Sequence, residues 1–174
     1  MLLNNNPKKI LIIAGSDSGG GAGIQADIKT ATAYQTYCST IITTLTAQNT
    51  KSVTAIESIK VDFVNKQFDA VLSDIDFDAI KIGMLSNSAI IKEVSRNIKK
   101  YNLRNIVLDP VMIATSGDKL LDIESISYLR QIISQVFLVT PNIDEAEILV
   151  NKSIKTLADI KNAAKEISNM GPTN

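Results

Sequence analysis

Residues 9 to 14, KILIIA, form an unbroken apolar run that stops at Gly15 and opens into GSDSGGGAG. From Ala22 onward Ile24, Ile28 and Ala31 recur at helical spacing, so the glycines join a strand to a helix. A strand apolar on both faces belongs inside a parallel sheet covered on both sides. The same alternation continues. STIITTLT (39–46) is β-branched and reads as a strand, and a short strand near TAIESIK follows it. Val64, Phe68, Val71, Leu72 and Ile75 mark one helix face, and AIKIGM (79–84) is a third buried strand. A helix through AIIKEVSRNIKK, the strand NIVLDP (105–110), the helix SISYLRQIIS, the strand VFLVTPN (136–142) and two closing helices complete the order. Strand and helix alternating in this way predict an open, mostly parallel α/β sheet with helices on both faces. No linker or repeat interrupts it, so residues 1–8 are read as a polar arm and 9–174 as one α/β domain.

Composition excludes several classes of function. The chain has no histidine and one cysteine, Cys38, in 174 residues. This removes Ser-His-Asp and Cys-His catalysis, histidine-ligated zinc, CxxC redox chemistry and an internal disulfide. Acid–base work falls to Asp, Glu, Lys, Tyr or Cys38, and Cys38 is read as a small packed residue. A metal would be a hard cation on oxygen ligands, magnesium being the usual choice beside phosphate. Eighteen basic residues balance eighteen acidic ones and there is no Trp, which disfavours nucleic-acid and anionic-membrane partners. No apolar run is long enough to span a bilayer, and MLLNNNPKK lacks the apolar core of a signal peptide, so the cytoplasm is the expected location.

Gly19, Gly20, Gly21 and Gly23 allow close backbone approach to a ligand at the carboxyl end of the first strand. Amides at the start of the next helix are expected to welcome an anion or a polar ring atom. No Gly-Lys-Ser/Thr follows, which excludes a Walker A loop. Gly21, Gly23 and Ala26 satisfy G-x-G-x-x-A, but the second strand ends in Thr46, Ala47, Gln48 and Asn49 without the carboxylate a dinucleotide ribose requires. Other strand ends bring polar groups to the same crevice. The Gln48 amide both donates and accepts, Met84 can pack on a flat ring, and Asp109 lies at a strand end before Pro110. Thr140, Asn142 and Glu145 lie between a strand and a helix. Asn142 and Glu145 have capping-box spacing, and they could equally orient magnesium and nucleotide phosphates.

AGSDSGGGAGIQADIKT, TLTAQNT, KIGM, LDPVM, SGDKLL and TPNIDEAE, in this order, resemble the hydroxymethylpyrimidine/phosphomethylpyrimidine kinases of thiamine biosynthesis, a ribokinase-like family. The resemblance implies that Gly15, Ala22, Gln48, Met84 and Val111 line an aminopyrimidine pocket. It places Asp109, Thr140, Asn142 and Glu145 on the ATP side, with Asp109 and Glu145 acting through Mg2+. The reaction implied is γ-phosphoryl transfer from ATP to 4-amino-5-hydroxymethyl-2-methylpyrimidine and then to its monophosphate. The family's Lys-Gly-Gly segment and second glycine loop, which carries the catalytic base, find no counterpart before Asn174, so no catalytic residue is assigned. The resemblance thus implies a ribokinase-like domain incomplete at its C-terminus. Alternatives are a non-catalytic pyrimidine-binding protein, half of a split enzyme completed by a second polypeptide, or a pyridoxine-type vitamin kinase. A homodimer is a further expectation.

Overall fold

The computed structural model describes residues 7–112 and 123–174. The segment SGDKLL lies outside the described residues. The elements are β1 (Lys9–Asp17), α1 (Gly23–Ala33), β2 (Tyr37–Gln48), β3 (Val53–Ser58), α2 (Val61–Leu72), β4 (Ala79–Ile82), α3 (Ser88–Lys100), β5 (Ile106–Leu108), α4 (Ile123–Ile133), β6 (Leu138–Val139), α5 (Ile143–Val150) and α6 (Leu157–Ser168). They build one six-stranded sheet in the order β3-β2-β1-β4-β5-β6. Only β3 runs antiparallel to its neighbour, β2, and the other pairings are parallel.

The apolar runs explain this arrangement. In β1, Leu11 and Ile13 enter the main core, while Ile12 and Ala14 pack with Ile24 of α1 on the opposite face. The main core joins Ile41, Ile80, Ile82, Ile106 and Leu108 of the sheet to the apolar stripes of the helices. Val64 and Phe68 in α2, one turn apart, are fully buried, as are Ile90, Ile91 and Val94 in α3. Burial on this scale stabilises by about 1.5–3 kcal/mol per large apolar side chain. Asn87 caps α3 by accepting from Ile90 N at 3.0 Å, and Thr156 with Asp159 forms a reciprocal capping box on α6.

Several elements differ from their sequence-based bounds, among them β1, α2 and β6. The first strand continues past Ala14 to Asp17, because β2 takes up an extra residue there: Ala14 pairs with Ile42 but Ser16 with Leu45. Such a bulge re-aims side chains at the end of a strand. Helix α2 stops at Leu72, and Ile75 N still reaches Val71 O at 3.0 Å in the following turn. Strand β6 has two residues rather than seven, since Pro141 cannot donate to the ladder.

Strand β1 has β2 on one side and β4 on the other, so successive connections leave it in opposite directions. The carboxyl ends of β1 and β4 therefore border a crevice, the usual ligand position in such sheets. Gly23 holds the loop against that end. It has φ +54°, and a Cβ placed there would lie 2.4 Å from Gly15 O. Gly23→Ala is expected to destabilise by about 2–4 kcal/mol, combining left-handed strain with a backbone clash. Chemical denaturation checks this, and a loss under about 1 kcal/mol would show that the loop can re-form around a side chain.

Candidate functional site

A cavity of ≈ 390 Å³ opens at the carboxyl ends of β1, β2, β4 and β5. It is lined by Gly15, Ala22, Gln48, Met84 and Val111, the residues expected on the ring side, and by Asp109, Asn142 and Glu145 from the nucleotide side. Thr140 is not among the lining residues. Its N–H and hydroxyl both reach Leu108 O, at 3.0 and 3.4 Å, which ties it to the strand ladder.

Each side of the cavity is built locally. The Gln48 amide is held by Thr46, whose hydroxyl reaches Gln48 Oε1 at 3.1 Å and Ser16 O at 3.0 Å. Ser18 fastens the glycine loop to the same strand end, donating to Gln48 O at 2.7 Å and accepting from Gln48 N at 2.8 Å. Met84 is positioned by Thr43, whose hydroxyl donates to Met84 O at 2.8 Å. On the opposite side Asn142 Oδ1 accepts from Glu145 N and Glu145 Oε2 accepts from Asn142 N, both at 2.9 Å. The capping box is therefore real, and Glu145 still lines the cavity while only 4% exposed.

The expectation of an anion at the glycine loop is narrowed. The amides of Gly19, Gly21 and Ala22 do not await an outside anion, because all three donate to the carboxylate of Asp17 at 2.7–3.0 Å. The same contacts occupy the Gly21 amide that a dinucleotide reading of Gly21, Gly23 and Ala26 would use.

The charged wall contains two residues that spacing did not single out. Lys81 Nζ lies 2.9 Å from Asp27 Oδ2 and 3.8 Å from Asp109 Oδ2, and all three residues line the cavity. The available signal was a lysine inside the buried strand AIKIGM, since a charge in that position requires a partner. Burial pushes the Asp109 carboxyl above its ordinary range, Lys81 pulls it down, and Asp27 adds to the rise. Burial likewise raises Glu145, opposed by the Asn142 N–H and reinforced by the charge of Asp109. Burial also raises the Cys38 thiol, which disfavours the thiolate. Asp109 and Glu145, in a cavity lined by neither histidine nor cysteine, suit Mg2+, which takes one or two protein carboxylates and fills its shell with water and phosphate oxygens. Among the described residues no group of three acidic, His or Cys side chains gathers as a self-sufficient metal cage.

The fold is that of the ribokinase-like vitamin kinases, whose solved structures superpose on it with TM-scores of 0.89 and 0.86. The chain belongs to the phosphomethylpyrimidine kinase family, whose profile it matches over residues 17–174. It is 46% identical over 164 residues to the hydroxymethylpyrimidine/phosphomethylpyrimidine kinase of Bacillus subtilis (strain 168), covering 94% of this chain and 60% of that protein. It is 42% identical to a probable thiamine biosynthetic bifunctional enzyme of Oryza sativa subsp. japonica, covering 94% of this chain and 30% of that protein. The phosphomethylpyrimidine kinase structure from Clostridium difficile 630 superposes with a TM-score of 0.89 at 47% identity, over 95% of this chain and 72% of that one. A Staphylococcus aureus pyridoxal kinase in complex with pyridoxal gives 0.86 at 32% identity, over 97% of this chain and 61% of that one. The chain thus spans 30% to 60% of the length of these two curated relatives.

The raised Asp109 carboxyl has a consequence for stability. Between the unfolded and folded pKa values the folded protein holds the extra proton, so its stability falls as pH rises through that window, from about pH 4 upward. Asp109→Asn is expected to flatten that fall and to leave stability at pH 7 within about 0.5 kcal/mol of the parent, or above it. Denaturation at several pH values tests this. A neutral-pH loss above about 1 kcal/mol would show that the Lys81 contact outweighs desolvation.

Proposed function

We propose that this chain binds 4-amino-5-hydroxymethyl-2-methylpyrimidine and its monophosphate as substrates for phosphorylation by Mg-ATP in thiamine biosynthesis. The observation that carries the reading is the single ≈ 390 Å³ cavity combining Gly15, Ala22, Gln48, Met84 and Val111 with Asp109, Asn142 and Glu145. In this reading the ring lies between the first glycine loop and Met84, and the Gln48 amide pairs with the polar edge of the aminopyrimidine. The hydroxymethyl group then points toward Asp109 and Glu145. Those carboxylates hold Mg2+, which supplies charge neutralisation on the phosphates when bound. Asn142 holds Glu145 in place through the capping box, and Lys81 fixes Asp109 against Asp27. The chain's contribution to the reaction is positioning and electrostatics, and none of its cavity residues is assigned as the base on the hydroxymethyl group. A cytoplasmic location goes with this reading, and among the described residues no helix is long and apolar enough to cross a membrane. Thr140 keeps a place on the nucleotide side only through its strand-end position.

A second reading, a pyridoxal-type ring in the same cavity, is favoured by the fold shared with the pyridoxal kinases. Calorimetric titration of the purified chain with the aminopyrimidine and with pyridoxal, each with and without Mg-ATP, separates the two. Phosphorylated product is assayed in the same samples, so that binding and turnover are read independently. The aminopyrimidine is expected to bind and pyridoxal to compete weakly. Gln48→Ala is expected to weaken aminopyrimidine binding about 10-fold or more through the lost polar contacts, with the thermal transition unchanged. Tighter binding of pyridoxal would move the assignment to the second ring, and a folded chain that binds neither would overturn both readings.

A further inference from the structure

Every backbone N–H from Gly19 to Ala22 is spent on one residue. Asp17 Oδ1 accepts from Gly19 N at 2.7 Å, and Oδ2 accepts from Gly21 N at 3.0 Å and Ala22 N at 2.8 Å. The remaining amide, Gly20 N, donates to the backbone carbonyl of Asp17 at 3.0 Å. Asp17 itself is 5% exposed. Gln25 locks it from α1, accepting from Asp17 N at 2.8 Å while its NH2 donates to Ser16 Oγ at 2.7 Å. Successive N–H groups converging from a glycine loop make an anion-binding concavity. Here the anion is part of the chain.

The surroundings show what the loop would attract without it. A second cavity, of ≈ 360 Å³, is lined by Gly19 and Gly21 of the loop and shares Asp17, Ala22, Gln48 and Val53 with the main one. Lys51 lines this second cavity, and Lys29 Nζ lies 2.7 Å from Gly20 O. Three converging amides and two nearby ammonium groups would form an electropositive pocket beside both cavities. A carboxylate attached to the loop neutralises it, and loses no translational freedom in doing so, whereas a free phosphate would.

We propose that Asp17 is a specificity-determining residue, an internal anion that closes the first glycine loop to phosphate and reserves that end of the cavity for an uncharged ring. Nucleotide phosphates, and the phosphate of an already phosphorylated ring, are thereby confined to the Asp109 and Glu145 side. One binding orientation then serves both phosphorylation steps. The orientation of the ring rests on the proposed function, whereas the exclusion of phosphate does not.

The test titrates inorganic phosphate into the whole chain and into Asp17→Ala, reading amide resonances in a 15N-labelled sample and thermal transitions, with formate as a second probe. In the parent, the Gly19, Gly21 and Ala22 resonances are expected to stay still through millimolar phosphate. In Asp17→Ala the transition falls, formate and phosphate restore part of it, and the same three resonances move as phosphate binds with a millimolar Kd. Phosphate then competes with the aminopyrimidine in the variant and not in the parent. Purely structural capping would lower the transition without creating anion binding. Movement of those resonances in the parent, or a folded variant that gains no phosphate response, overturns the proposal. If Asp17→Ala does not fold, Asp17→Asn keeps one acceptor oxygen and takes its place, while the parent titration decides on its own. Failure of the parent to bind the aminopyrimidine would sink the proposed function and leave the anion result standing.

Discussion

The position of β1 between β2 and β4 governs the rest of the structure. Once the chain turns one way from β1 to β2 and later the other way to β4, no single crossover can cover the strand end between them. The open end must then be finished by something other than a helix. The chain finishes it with a loop that folds on its own carboxylate, with Gly23 pressed onto Gly15 O and Ser18 fastened to Gln48. The bulge in β2 belongs to the same solution. The extra residue between Ile42 and Leu45 brings Thr43 to Met84 O and Thr46 to Ser16 O, so three strand ends brace one another around the cavity.

The two sides of the cavity are physically unlike, and their difference is the basis of a division of labour. The ring side offers backbone, methyl, thioether and the Gln48 amide, with the Asp17 carboxylate already taken up by loop amides, so a flat heteroaromatic loses little there on leaving water. The opposite side holds Lys81, Asp27, Asp109 and Glu145, whose carboxyls at 109 and 145 are held above their usual range by burial. Partly desolvated like charges of this kind cost stability in the resting protein and are relieved by a divalent cation. Lys81 offsets part of that cost through Asp27 and Asp109 and leaves Glu145 to its two-residue capping box.

Much of this was legible in the sequence because it depends on local pattern. Apolar runs ending in glycine or proline located the strands, helical spacing located Val64 and Phe68, and the strand ends supplied Gln48, Met84, Asp109, Asn142 and Glu145, to which the family resemblance added Gly15, Ala22 and Val111. What was not legible depends on closure in three dimensions. Asp17 looks like an ordinary polar residue in GSDSGG until the loop turns four amides back upon it. Lys81 and Asp27 are 54 residues apart, and only the β1–β4 neighbourhood brings them together. The bulge in β2 is invisible in a β-branched run such as STIITTLT, where either register buries comparable side chains. Strand β6 was overestimated because VFLV reads as a strand on its own, although only Leu138 and Val139 meet β5 in register.

Asn142 and Glu145 show why a structural explanation and a functional one need not compete. The capping box requires Glu145 to turn one oxygen back to Asn142 N, which fixes the carboxylate's rotamer at the mouth of α5. A free glutamate would have to lose about 1.5–2 kcal/mol of side-chain freedom to hold a ligand, and here the helix start has already ordered it. The α5 N-terminus also supplies partial positive charge where burial works against the carboxylate's ionisation. The same hydrogen bonds that begin the helix therefore preorganise the group at the cavity wall. A residue fixed in this way can hold a cation with less reorganisation than one on a free loop, which is a reason for such sites to form where a strand gives way to a helix.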